Sequence, residues 1–161
     1  MIFHGDGHTL SPLFTHFERT QEMRITLESD YALRIVTALA LHNERVDAGT
    51  LAEETSVTQR FTLKILHKLV GGGIVTSYKG AKGGYQLQEA PENITLRRVI
   101  ELIDGPIIIA RCVESGESCA LNADKTSCTY HHIFNRLSLD VARKLEGISI
   151  KDVLDKNYTL S

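Results

Sequence analysis

Three cysteines and one histidine fall within twenty residues: Cys112, Cys119, Cys128 and His131, separated in turn by six, eight and two residues. Thiolate sulfurs and imidazole nitrogens are soft or borderline donors, the kind that hold iron–sulfur clusters or zinc. Cys128 and His131 stand one helical turn apart at the start of a long apolar-periodic segment, and Arg111 and that helix N-terminus place positive charge where an anionic ligand would sit. The cysteine count is odd and all three lie in one segment, which points to metal or redox chemistry before a disulfide scaffold. Four readings suit the residues: an iron–sulfur cluster, zinc held by the three cysteines and His131, a disulfide switch with one thiol to spare, or free thiols in a polar loop.

A second chemistry lies upstream. Residues 57–88 contain no Asp or Glu but carry Arg60, Lys64, Lys68, Lys79 and Lys82, a local +5 that leaves −7 on the rest of a chain whose total is −2. A basic run in an acidic chain points to a polyanionic partner met through one face. Within the run, Thr58 to Leu69 has helical period, and Tyr78-Lys79-Gly80-Ala81-Lys82-Gly83-Gly84-Tyr85 reads as the glycine-rich tip of a β-ribbon. A helix followed by a basic hairpin is how a winged helix meets duplex DNA. Thr58 and Thr62 supply hydroxyls for phosphates, and Lys64 a long cationic side chain. Arg60 suits guanine, Gln59 adenine and Leu63 a thymine methyl, while Lys79 and Lys82 would lie along the minor groove or its phosphates.

The elements that must position these residues follow from periodicity. A first helix is expected over Thr26–His42 on a stripe of Leu27, Tyr31, Ile35, Ala38, Leu39 and Leu41, with Arg34 opposite. A second, short one runs Thr50–Thr55, with Thr50 and Glu53 as a capping box. The third buries Phe61, Ile65, Leu66 and Leu69, presents Arg60, Leu63, Lys64 and His67, and stops at Gly71-Gly72-Gly73. Strands at Ile74–Ser77 and Tyr85–Leu87 flank the tip, and Pro91 closes the wing. A fourth helix spans Thr95–Asp104 and ends at Gly105-Pro106. A long helix over Thr129–Leu145 has its stripe at Ile133, Phe134, Leu137, Val141 and Leu145, and Ser149 caps a last short helix. The chain is thus mainly α with a small β-wing: a flexible arm (1–22) with His4, His8 and His16, a winged helix-turn-helix domain (23–105), a cysteine loop (106–128), and a long helix with a C-terminal helix (129–161).

Several classes are excluded. No apolar stretch approaches the roughly 20 residues that cross a bilayer, and the N-terminus lacks the pattern of a secretory signal, so a soluble cytoplasmic protein with no membrane partner is expected. His42, His67, His131 and His132 have no carboxylate and nucleophile constellation about them, so the chain is not expected to be an enzyme.

Met23-Arg24-Ile25-Thr26 with Asp30-Tyr31-Ala32-Leu33-Arg34, then Leu51-Ala52, Phe61-x-x-Lys64-Ile65-Leu66 and the Lys79–Tyr85 wing resemble the Rrf2 family of winged-helix regulators. The likeness runs from Met23 to about Leu154. It implies a homodimer paired through the long helix, a palindromic operator in double-stranded DNA, and a cluster on the three-cysteine loop. By position, Cys112, Cys119 and Cys128 correspond to the cluster ligands. His131 matches the fourth ligand of a [2Fe–2S] cluster in the IscR-like branch. Asp30 matches the partner-supplied ligand of a [4Fe–4S] cluster in the NsrR-like branch, or is a capping or surface residue. The reading is a dimeric transcription regulator, a repressor, whose operator affinity an iron–sulfur cluster controls in response to cluster status, redox state or nitric oxide. The alternative is a cluster-free regulator that senses a metabolite, partner protein or thiol oxidation, or one stabilised by zinc.

Overall fold

The computed structural model describes residues 25–80, 82–114 and 125–159, so the arm expected over 1–22 lies outside the described residues. Helix α1, Leu27–His42, starts where Thr26 accepts a hydrogen bond from the Ser29 amide and stops at Asn43, in the left-handed conformation. It buries Ala32, Ile35, Val36 and Leu39, whereas Leu27 and Leu41, expected on its inner stripe, are 63% and 70% exposed. The inner face is therefore rotated from the expected line, because the rest of the core meets α1 along positions 32, 35, 36 and 39.

Helix α2, Ala48–Thr55, begins two residues before the expected start. Its N-cap is Asp47, whose carboxylate accepts from the Gly49 and Thr50 amides and from the Thr50 hydroxyl. Thr50 is thus inside the helix, and no capping box with Glu53 is needed. Ser56, left-handed at φ 55°, makes the turn into α3, Gln59–Gly71. Strands β1, Val75–Tyr78, and β2, Gly84–Leu87, pair antiparallel from Val75↔Leu87 to Tyr78↔Gly84. Val46 adds a third rung: its N–H and carbonyl both bond Tyr85, at 2.9 and 2.8 Å. That close approach requires Gly84, since a Cβ there would stand 2.9 Å from the Val46 carbonyl oxygen.

Beyond a 3-10 turn at Pro91–Asn93, helix α4, Leu96–Asp104, is capped by Thr95 and ended by Gly105. A second 3-10 turn, Arg111–Val113, precedes α5, Thr129–Glu146, and α6, Ile150–Asp155, which carries a full capping box between Ser149 and Asp152. The core joins Ile35, Leu39, Leu51, Ile65, Leu66, Leu69, Ile74, Ile94 and Ile150, all at most 1% exposed. Each such side chain stabilises the fold by about 1.5–3 kcal/mol relative to exposure. Ile150 enters from α6, and its amide donates to Ile94 O at 2.9 Å, so α6 packs into the winged-helix core. No helix among the described residues is long and apolar enough to cross a membrane.

Candidate nucleic-acid interface and cysteine site

Helix α3 packs against β1, which leads into the wing. Thr58, the N-cap of α3, and Gln59, Arg60, Leu63 and Lys64 are exposed along the helix. Thr62 is not: it is fully buried, and Phe61, expected in the core, is 45% exposed. The inward stripe is Thr62, Ile65, Leu66 and Leu69, the i, i+3, i+4, i+7 face. A phosphate-facing hydroxyl at Thr62 is therefore ruled out by packing. Phe61 instead lies at the rim, edge-on to Tyr31 with ring centroids 6.3 Å apart, and the Lys64 ammonium stands 5.8 Å over its ring.

At the wing, Gly83 N bonds Gly80 O at 2.9 Å, and a Cβ at Gly83 would meet Tyr78 O at 2.6 Å. The narrow tip thus depends on its glycines and leaves Lys79 and Lys82 exposed. Arg45, outside the acid-free run and so missed in the sequence, stacks on the wing with its guanidinium 3.6 Å from the Tyr78 ring centroid. Gly84, opposite Tyr78, has no side chain to stand between them. A stacked guanidinium keeps its N–H edge free for phosphate. The sequence signal was an arginine next to Val46, legible only once Val46 is known to pair with the wing. Arg60, Lys79 and Lys82 have no ion-pair partner among the described residues, whereas Lys64 and Lys68 both pair with Glu28, at 2.9 and 2.7 Å.

The cysteine site lies at the start of α5. Cys112 sits in the 3-10 turn, Cys128 is the N-cap of α5, and both are half-buried free thiols. Cys119 lies outside the described residues. His131 Nδ1 is 2.9 Å from Cys112 O. A carbonyl only accepts, so Nδ1 carries the proton and the neutral ring keeps its lone pair on Nε2. His132 Nε2 donates likewise to Thr126 O at 2.8 Å, and Lys125 Nζ reaches Glu114 O at 3.2 Å. Both ends of the segment bearing Cys119 are thereby drawn to the first turn of α5. A histidine that donates one ring N–H to a backbone carbonyl is a common arrangement of a metal-ligating imidazole, and Cys112, Cys128 and His131 are of the soft or borderline donor type that such sites use. Among the described residues no group of three or more His, Cys, Asp or Glu side chains is arranged to hold a metal ion. Asp30 is elsewhere on the chain, in the first turn of α1, paired with Arg34 at 2.7 Å.

On the outward face of α5, Tyr130, Ile133, Leu137 and Val141 are between 40% and 71% exposed, and only Ser138 and Ala142 are buried. The Ser138 hydroxyl accepts from the Ile109 amide at 3.0 Å, which fastens the middle of α5 to the segment leaving α4.

Known proteins share this fold. The profile of the Rrf2 family, described as an iron-dependent transcriptional regulator, matches residues 25–156. A protein of Aquifex aeolicus described as an HTH-type transcriptional regulator is 31% identical over 126 residues, which cover 78% of this chain and 87% of its own. The HTH-type transcriptional regulator IscR of Aliivibrio salmonicida is 27% identical over 84% of this chain and 79% of its own. The solved structure of CymR, the global cysteine regulator of B. subtilis, superposes with a TM-score of 0.68 at 22% identity, covering 84% of this chain and 98% of CymR; at that identity the likeness speaks for the fold alone. With a reading helix, a basic wing and a profile match across nearly all the described residues, the chain is a DNA-binding winged-helix transcription regulator and not an enzyme, and it belongs to the Rrf2 family.

Proposed function

We propose that this regulator is a homodimeric repressor of palindromic operators whose DNA affinity is set by an iron–sulfur cluster on Cys112, Cys119, Cys128 and His131. The observation that carries the reading is the His131 to Cys112 carbonyl bond, which joins the turn bearing Cys112 to the first turn of the helix capped by Cys128. The family description as iron-dependent and the likeness to IscR support it. His131 is favoured over Asp30 of the partner subunit as fourth ligand because the Asp30 carboxylate is already engaged by Arg34, so a [2Fe–2S] cluster is favoured over [4Fe–4S].

When bound, the cluster supplies a centre sensitive to iron supply, oxidants and nitric oxide. The chain's own residues do the rest. Cys112, Cys119 and Cys128 would hold the group, with His131, whose Nδ1 already bonds Cys112 O, as the fourth ligand. Helix α5 presents Tyr130, Ile133, Leu137 and Val141 to a second copy, which sets the spacing between two reading helices. Thr58, Gln59, Arg60 and Leu63 then read base edges and phosphates, while Arg45, Lys79 and Lys82 hold the adjacent backbone. A coupling of about 3 kcal/mol between site and operator changes affinity roughly a hundredfold.

The test is protein purified without oxygen. Matched iron and acid-labile sulfide are expected, and the count per chain distinguishes the two cluster types. Replacement of Cys119 by Ala should abolish the cluster and remove its effect on operator binding. A colourless protein that stays iron-free after anaerobic reconstitution would turn the reading to zinc or a thiol switch. Operator binding by C119A that matches the wild type with and without iron would sink cluster control itself.

A further inference from the structure

The run from Val57 to Gln88 is free of acid in sequence but not in space. Glu28, in the first turn of α1, reaches α3 and takes both Lys64 and Lys68, at 2.9 and 2.7 Å. The two lysines stand at i and i+4, so one carboxylate spans them. Lys68 Nζ is also 3.5 Å from Ile103 O in the last turn of α4, and the Thr26 hydroxyl donates to Asp104 Oδ1 at 2.6 Å, so α1, α3 and α4 are laced together where these groups meet. The Glu28 side chain is only 22% exposed. Fully exposed pairs are screened and contribute little, whereas a sheltered carboxylate keeps its hold on its partners. Hydrogen bonds from Lys68 and then Lys64 hold the Glu28 carboxyl below the ordinary glutamate range.

Two of the five cations in the run are thereby paired with a carboxylate of the protein itself, although the Lys64 side chain stays 55% and that of Lys68 36% exposed. Lysine contacts to phosphate act on every sequence alike and supply nearly all non-specific binding. A reading helix with two fewer such contacts gives up affinity for random DNA more than for its operator, where base contacts add to the backbone term.

We infer that Glu28 is a specificity-setting residue: by gripping Lys64 and Lys68 on the α1 side of the reading helix, it keeps them off the phosphate backbone and widens the gap between operator and random DNA.

The experiment is a cycle of E28Q, K64M and the double variant. Affinities for an operator duplex, selected from random sequence with the wild type, and for an unrelated duplex are measured across a salt series. In the wild-type background K64M should leave the salt slope for random DNA unchanged, because Lys64 is not at a phosphate. E28Q should steepen that slope by about 0.9 for each lysine released, or about eightfold in affinity per contact at 0.1 M salt relative to 1 M, and the operator-to-random ratio should fall. Adding K64M to E28Q should remove one such step. Equal loss of slope from K64M in both backgrounds would show that Lys64 already meets phosphate and overturn the inference. An E28Q protein with the wild-type slope and ratio would reduce Glu28 to a structural tie. Should E28Q fail to fold, the K64M arm decides alone, since a loss of slope there has the same meaning.

Discussion

Thr62 lies fully buried on α3 with a hydroxyl that finds no hydrogen-bond partner among the described residues. A buried hydroxyl without a partner costs about 1–3 kcal/mol, and valine has nearly the same shape. T62V is therefore expected to raise the unfolding free energy by about 1 kcal/mol in urea titration and to leave DNA affinity unchanged; a loss of affinity would return the hydroxyl to the phosphates. Phe61 and Thr62 are neighbours, and the period of Ile65, Leu66 and Leu69 accommodates either as the fourth member of the stripe. Hydrophobicity alone favours Phe61. The position of α1, which sets Tyr31 against the Phe61 ring at the rim, decides for Thr62, and nothing local to α3 carries that information. The Glu28 carboxyl makes a second prediction at this scale. Its pKa is lower folded than unfolded, through Lys68 and Lys64, so its contribution is fully present above the unfolded value and is lost as pH falls through the folded one. The stability difference between wild type and E28Q should shrink on acidification in urea midpoints; a difference constant with pH would deny the ion pairs any energetic weight.

Among elements, the wing was the most legible, because its glycines and flanking alternation mark a hairpin without help from the rest of the chain. The third rung at Val46 was not, since one bridge between distant segments leaves no period. Its presence explains Gly84, which at φ 152° lies against Val46. G84A should destabilise the fold by about 1–3 kcal/mol, read as a lower thermal midpoint, and should weaken DNA binding by displacing the tip lysines; a wild-type midpoint would mean that the Val46 rung yields freely. R45A removes the stack on Tyr78 and should weaken operator binding with little effect on the midpoint, a separation that G84A does not show. Helix α2 was misplaced for a related reason: Thr50 and Glu53 form a plausible capping box, but Asp47 satisfies the Gly49 and Thr50 amides first.

At the scale of the whole molecule, the outward face of α5 leaves Tyr130, Ile133, Leu137 and Val141 exposed together. Its stripe was legible as amphipathic, while its direction was not, because periodicity cannot tell a face that seeks the chain's own core from one that seeks a second copy. L137E tests the proposed homodimer: it should yield a folded monomer where the wild type is dimeric, measured by light scattering, with a loss of operator affinity; a dimer that L137E leaves unchanged would assign pairing to another surface. The expected division set 129–161 apart from the DNA-binding part, whereas α6 places Ile150 in the core beside Ile94. Domains generally complete folding as their last core element becomes available during synthesis. On the ribosome the reading helices therefore emerge long before Ile150 closes over Ile94, and a nascent chain acquires its finished DNA-binding surface only after the segment carrying all three cysteines has been made.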